Sequence, residues 1–96
     1  MHAVVRTYSG AGAKQLFDVL EERKGDVEAT LREVSGLVSY TLLRNGDGGM
    51  SVTVCMDKAG ADVSLKAARD WIQKNASNTH AHPPVVVDGP VIVQIR

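Results

Sequence analysis

The sequence is short of most features that advertise a function. It has one cysteine, Cys55, so no intrachain disulfide can form and thiolate-rich metal sites are excluded. It has no net charge, with 11 Lys+Arg set against 11 Asp+Glu. That balance removes the attraction to phosphate on which most nucleic-acid binders rely. No apolar run approaches the ~18 residues of a membrane helix; the longest, Val85-Val86-Val87 and Val91-Ile92-Val93, are strand-sized. The first eight residues are interrupted by Arg6 and are too short to form a signal peptide's apolar core. These absences predict a cytoplasmic protein that binds neither nucleic acid nor membrane. No repeat, low-complexity tract or linker divides the 96 residues, which predicts a single domain over 1–96.

What is present is ordinary globular material, 44% hydrophobic and 23% charged, too apolar for a disordered chain. His2 to Tyr8 is β-branched and aromatic and stops at Ser9-Gly10-Ala11-Gly12, a strand followed by a turn. From Ala13 to Val34 the apolar spacing becomes helical: Leu16, Phe17, Leu20, Val27, Leu31 and Val34 share a face. Gly25-Asp26 interrupts this helix, but the apolar phase survives it, so one long or kinked helix is expected, with Asp26 as a cap if it breaks. Ser35-Gly36 ends it. Leu37 to Arg44 then reads as a strand, Asn45 to Gly49 as a hairpin turn, and Met50 to Met56 as the partner strand. Asp57 to Asp62 is expected to be a loop whose Asp62 caps a second helix reaching Asn75, with Ala61, Leu65, Ala68, Trp71 and Ile72 on one stripe. A polar, proline-ended link follows. The last strand is expected over Val85 to Ile95, bent at Asp88-Gly89-Pro90.

The order strand, helix, strand, strand, helix, strand predicts an α+β fold: a ferredoxin-like sandwich with a four-stranded antiparallel sheet and both helices on one face. Met50, Val52, Val54 and Met56 are apolar enough to lie beneath those helices. Ser51, Thr53 and Cys55, together with Ser39 and Thr41 or with Val38, Tyr40 and Leu42, would form the other face. Such a face suits a homodimer interface, a partly enclosed cavity or plain solvation, and small size favours the dimer.

Several constellations suggest chemistry. His80-Ala81-His82 would point two imidazoles the same way in an extended chain. A third metal ligand is missing unless His2 or Asp88 supplies it, so a solvated loop is the simpler reading and no metal site is expected. Cys55 in a strand reads as an inert thiol. Tyr8 and Tyr40 can line a cleft or edge a core. Trp71 reads first as packing and Asn75 as a helix-end contact. Other users of this fold leave no mark here. The third strand has no stacking aromatic for RNA, no Cys-x-x-Cys pair is present, and the first turn carries no phosphate-cradling arginine.

The first strand with Tyr8, the long charged helix, Ser35-Gly36-Leu37-Val38-Ser39-Tyr40-Thr41-Leu42-Leu43-Arg44, the glycine turn, the Val-rich strand and the second helix together resemble the dimeric α/β-barrel proteins, the group that includes antibiotic-biosynthesis monooxygenases. Val52 to Gly60 and Ala67-Ala68-Arg69-Asp70-Trp71-Ile72 resemble a set of small uncharacterised bacterial proteins. The resemblance implies a homodimer with its sheets face to face and, in each subunit, a cleft between sheet and helices. No cofactor is expected. The cofactor-independent oxygenases of the group place Asn and Trp near this cleft, and Trp71 and Asn75 stand one turn apart on the second helix. The asparagine that haem-degrading members carry on the first strand is absent. The expected function is binding of a small apolar or aromatic metabolite, with Trp71, Asn75, Tyr8 and Tyr40 as lining. A cofactor-independent monooxygenase or isomerase is the alternative.

Overall fold

The computed structural model describes residues 1–95. Strand β1 (His2–Tyr8) is followed by helices α1 (Ala13–Glu22) and α2 (Lys24–Arg32), the hairpin β2 (Leu37–Asn45) and β3 (Gly48–Cys55), helix α3 (Lys58–Asn75) and strand β4 (Val85–Pro90). The sheet runs in the order β2-β3-β1-β4, with every neighbouring pair antiparallel. This is the ferredoxin-like arrangement that the element order implies. Among the described residues no helix is long and apolar enough to cross a membrane.

The first helix breaks, and not at the expected place. The interruption lies at Arg23, two residues before Gly25, where φ −109° and ψ 31° leave the helical region. Arg23 closes α1 by donating its N–H to the Val19 carbonyl, and its own carbonyl accepts from the N–H groups of Asp26 and Val27. Its side chain supports the corner by pairing with Asp26, so Asp26 works inside the first turn of α2 rather than as its cap. The apolar phase survives because only one residue separates the two helices. Leu16, Phe17, Leu20, Val27 and Leu31 all reach the core.

The second helix starts earlier than expected. Asp57, not Asp62, is its cap: the Asp57 carboxylate accepts from the Gly60 N–H at 2.8 Å. Asp62 stands exposed one turn further on, paired with Lys58.

The two faces of β3 are the reverse of the expectation. Ser51, Thr53 and Cys55 are buried beneath the helices. The register sets Arg6 opposite Ser51 and Val4 opposite Thr53 on that face, with Tyr40 opposite Thr53 and Leu42 opposite Ser51 on the other side. Short side chains on the central strand leave room for the long ones on its neighbours. A register shift between Leu37 and Ser39 resets the phase of β2. Leu37, Tyr40 and Leu42 can therefore all pack against the core. The open face carries Ala3, Val5, Met50, Val52, Val54, Val85 and Val87, which the register places side by side.

The final strand is shorter than its alternation suggests. His2 pairs with Pro90, the last residue of β4, and the Met1 carbonyl accepts the Val91 N–H just beyond it. Beyond it Ile92 and Ile95 are 95% and 91% exposed.

A candidate ligand cleft between sheet and helices

The helix-facing side of the sheet is not filled to the end. Where α1 and α2 pass over β2, an open groove of about 760 Å³ is lined by Phe17, Leu20, Val27, Leu31, Tyr40 and Leu42 and rimmed by charged residues, Glu21, Lys24, Glu28, Arg32 and Arg44. Leu20, Val27, Leu31, Tyr40 and Leu42 also bound a second space further in. The groove and this inner chamber thus lie on either side of the same five residues. The chamber is small, about 20 Å³, and its remaining walls are Arg6, Tyr8, Ala68, Trp71 and Ile72.

Each wall follows from local structure. Tyr8 closes β1, and its ring meets Phe17 edge-on with centroids 5.8 Å apart. Gly49 lies opposite Tyr8 on β3 and lets Phe17 lie against the strand; a Cβ there would collide with the Phe17 ring and the Leu43 carbonyl. At the groove's outer end Arg44 pairs with Asp18 at 2.7 Å and with Glu21 at 3.3 Å, tying the end of β2 to α1. The guanidinium, followed by the Lys14 ammonium, holds the Asp18 carboxyl below its ordinary range.

Arg6 is the unusual group. It is only 4% exposed. Its Nε donates to the Ser51 hydroxyl and its Nη1 to the Tyr8 hydroxyl, each at 3.2 Å. Both partners are neutral. Burial pushes the phenols of Tyr8 and Tyr40 above their ordinary 10.0, with the Arg6 charge working in the opposite direction. At neutral pH both are therefore uncharged hydroxyls. Among the described residues no carboxylate or imidazole side chain lines the chamber. Its polar equipment is one cation and two phenols, which suits stabilising negative charge rather than removing a proton.

Comparison with solved structures turns on this architecture. A protein of unknown function from Nitrosomonas europaea superposes with TM-score 0.72 at 17% identity, covering 99% of this chain and 91% of that one. A monooxygenase of Streptomyces coelicolor, determined in complex with nanaomycin D, gives 0.64 at 23% identity over 99% and 89% of the two chains. A dimeric ferredoxin-like protein from an uncultured marine organism gives 0.63 at 13% over 99% and 95%. The fold is that of the antibiotic-biosynthesis monooxygenases and their relatives. No protein-family model matches the sequence, and no curated protein does.

Of the four residues singled out as cleft lining, the structure brings three together: Tyr8, Tyr40 and Trp71 share the chamber. Asn75 lies elsewhere. Its amide donates to the Trp71 carbonyl and its oxygen accepts from Arg23 Nη1, and the Arg23 guanidinium lies 5.7 Å from the Trp71 ring. Asn75 is thus one residue removed from the chamber, on the outer side of Trp71. Sequence reasoning missed Arg6, which it treated only as an interruption of an apolar run. The available signal was its phase: Val4, Arg6 and Tyr8 alternate onto one face of β1, and that face also carries Tyr8. The histidine pair does not gather ligands. His2 is engaged with Asp88 at 2.6 Å, and His82 lies beside Gly10. Among the described residues no three His, Cys, Asp or Glu side chains come together as a metal site requires. Cys55 is wholly buried, and burial pushes its thiol up.

Proposed function

We propose that this chain binds a small apolar or aromatic metabolite in the cleft between its helices and its sheet, and that it works in the cytoplasm as a homodimer paired through the open sheet face. One observation carries the reading: a groove with an apolar floor and a charged rim lies beneath α1 and α2, and Tyr40 lines both it and the inner chamber that Tyr8 and Trp71 help to wall. Such a space, mostly apolar with a few convergent polar groups, is the usual form of a small-molecule site. The dimer is supported by the apolar residues of the open face, interrupted there by Thr7 and Thr41, where Val85 and Val87 are more than half exposed in the single chain. A native mass spectrum of the gently purified protein tests both parts. The expected mass is twice the 10.3 kDa chain, with a small adduct or with one gained on adding an aromatic ligand. A clean monomer overturns the dimer. Failure of every apolar or aromatic ligand to add mass or raise the melting temperature overturns the binding site.

A second reading is favoured by the fold shared with the Streptomyces coelicolor monooxygenase, which holds nanaomycin D. In it the cleft oxygenates a quinol-type substrate without a cofactor: in the keto tautomer of the phenolic ring a CH2 becomes C=O, one atom of dioxygen enters the product and the other leaves as water with the two hydrogens. Product formation above autoxidation by the parent protein, lost in Trp71→Phe or Tyr40→Phe while the fold persists, is the expected result. No turnover by the parent, or equal turnover in all three proteins, removes this reading.

A further inference from the structure

We propose that the ligand of this cleft is an organic anion, an apolar body carrying one carboxylate or phenolate oxyanion, and that Arg6 receives the charge. The inference rests on the cleft being a binding site and specifies what it binds. It begins with an imbalance. The guanidinium is permanently charged and all but removed from water, yet none of the ion pairs among the described residues includes it. Those pairs all lie at the surface, where they are worth least. The one arginine whose burial makes a counter-charge valuable is left with neutral hydroxyls. A buried cation without a carboxylate is costly to the fold. If Arg6 served only to join β1 to β3, a neutral donor would do so without that cost.

The geometry supplies the missing partner from outside. Arg6 Nε and Nη1 are taken by the Ser51 and Tyr8 hydroxyls, the Tyr40 hydroxyl stands beside the guanidinium as a third neutral partner, and no ion pair among the described residues includes it. The guanidinium forms part of the wall of the inner chamber, whose volume of about 20 Å³ admits about one water-sized group, such as a single oxyanion oxygen, and not a ring. The body of a ligand fits the 760 Å³ groove outside. Tyr40 lines both spaces and stands close enough for its phenol to feel the Arg6 charge. An oxyanion that takes the place of the Tyr40 hydroxyl beside Arg6 meets the guanidinium, with the Tyr8 and Tyr40 hydroxyls as neutral donors. The apolar body stays against Leu20, Val27, Leu31 and Leu42. Carboxylate and phenolate share this chemistry, though a carboxylate can also engage two N–H groups at once.

Calorimetric titration with matched probes tests the inference: 2-naphthoate against 2-naphthamide, and 4-nitrophenolate against nitrobenzene, each with the parent protein, Arg6→Met and Arg6→Lys. The expected result is at least a tenfold preference for an anion over its neutral partner in the parent. That preference should vanish in Arg6→Met and largely return in Arg6→Lys. Whichever anion shows it identifies the oxyanion. Equal affinity for charged and neutral probes in the parent, or a preference that survives Arg6→Met, overturns the inference and leaves the cleft standing. Binding of no probe at all overturns both. Should Arg6→Met fail to fold, Ser51→Asp replaces it, placing a carboxylate beside Arg6 Nε; an internal counter-charge should weaken naphthoate binding tenfold or more, and unchanged binding overturns the inference.

Discussion

At the scale of single residues, the helix-facing side of β1 holds three behaviours within five positions. Val4 is plain core, Arg6 is a cation without a counter-charge, and Tyr8 is an aromatic whose hydroxyl serves that cation. The phenols give a testable consequence. Folding raises the pKa of Tyr8 and Tyr40 above their ordinary 10.0, burial being the main cause. A raised folded pKa means that folding favours the protonated form. The associated stability is fully present below pH 10 and is lost as pH rises through the folded values. Urea unfolding followed from pH 7 upward should therefore show a midpoint that begins to fall near pH 9, where the unfolded Cys55 thiol ionises, and falls more steeply beyond pH 10 as the phenols add to it. Tyr40→Phe removes one of the two titrations and should make that fall shallower, with Tyr8→Phe doing the same. An alkaline limb identical in the parent and both variants would contradict the burial of these hydroxyls.

Elements show what the sequence made legible and what it did not. Strand β3 was readable as a strand because Met50 to Cys55 alternate without a break, but alternation identifies two faces without saying which one is inside. Choosing the more apolar row was the natural inference and it was wrong, because the neighbouring strands send Arg6, Tyr8, Tyr40 and Leu42 inward and only short side chains fit between them. The same strand explains why the cleft was half visible. Its aromatics were recognisable as residue types, whereas Arg6 becomes meaningful only once its face is known. Helix starts were misread for a related reason: Asp57 and Asp62 are equally good caps by type, and only the backbone geometry separates them. Their substitutions should differ accordingly. Asp57→Ala removes the acceptor of the Gly60 N–H and should cost about 1 kcal/mol of stability. Asp62→Ala loses only an exposed pair with Lys58 and should cost no more than about 0.5 kcal/mol. Chemical denaturation of the two variants side by side measures this, and an equal or reversed cost would return the cap to Asp62.

The whole molecule is a sheet covered on one side only. Its helices bury the face that carries Arg6 and the tyrosines, while Val5, Met50, Val52, Val85 and Val87 line the other. A chain of 96 residues has little core to spare, so an apolar face left to water is a large part of its buried-surface potential unused. The alternation of Val91 to Ile95 predicts a strand, but β4 ends at Pro90 and Ile92, Val93 and Ile95 stand exposed. If the open face is the dimer contact we propose, a charge placed on it should separate the subunits without unfolding them. Val87 is the best position: it is 64% exposed in the single chain and lies on the edge strand opposite Val5. Its replacement by Asp therefore leaves the subunit core intact but would bury an unpaired carboxylate in the pair. Val87→Asp should sediment as a folded monomer where the parent sediments as a dimer, whereas Asp62→Ala, on the exposed side of α3, should not change the parent's state. A Val87→Asp protein that stays dimeric would move the contact off this face, and the valine row would then need another cover.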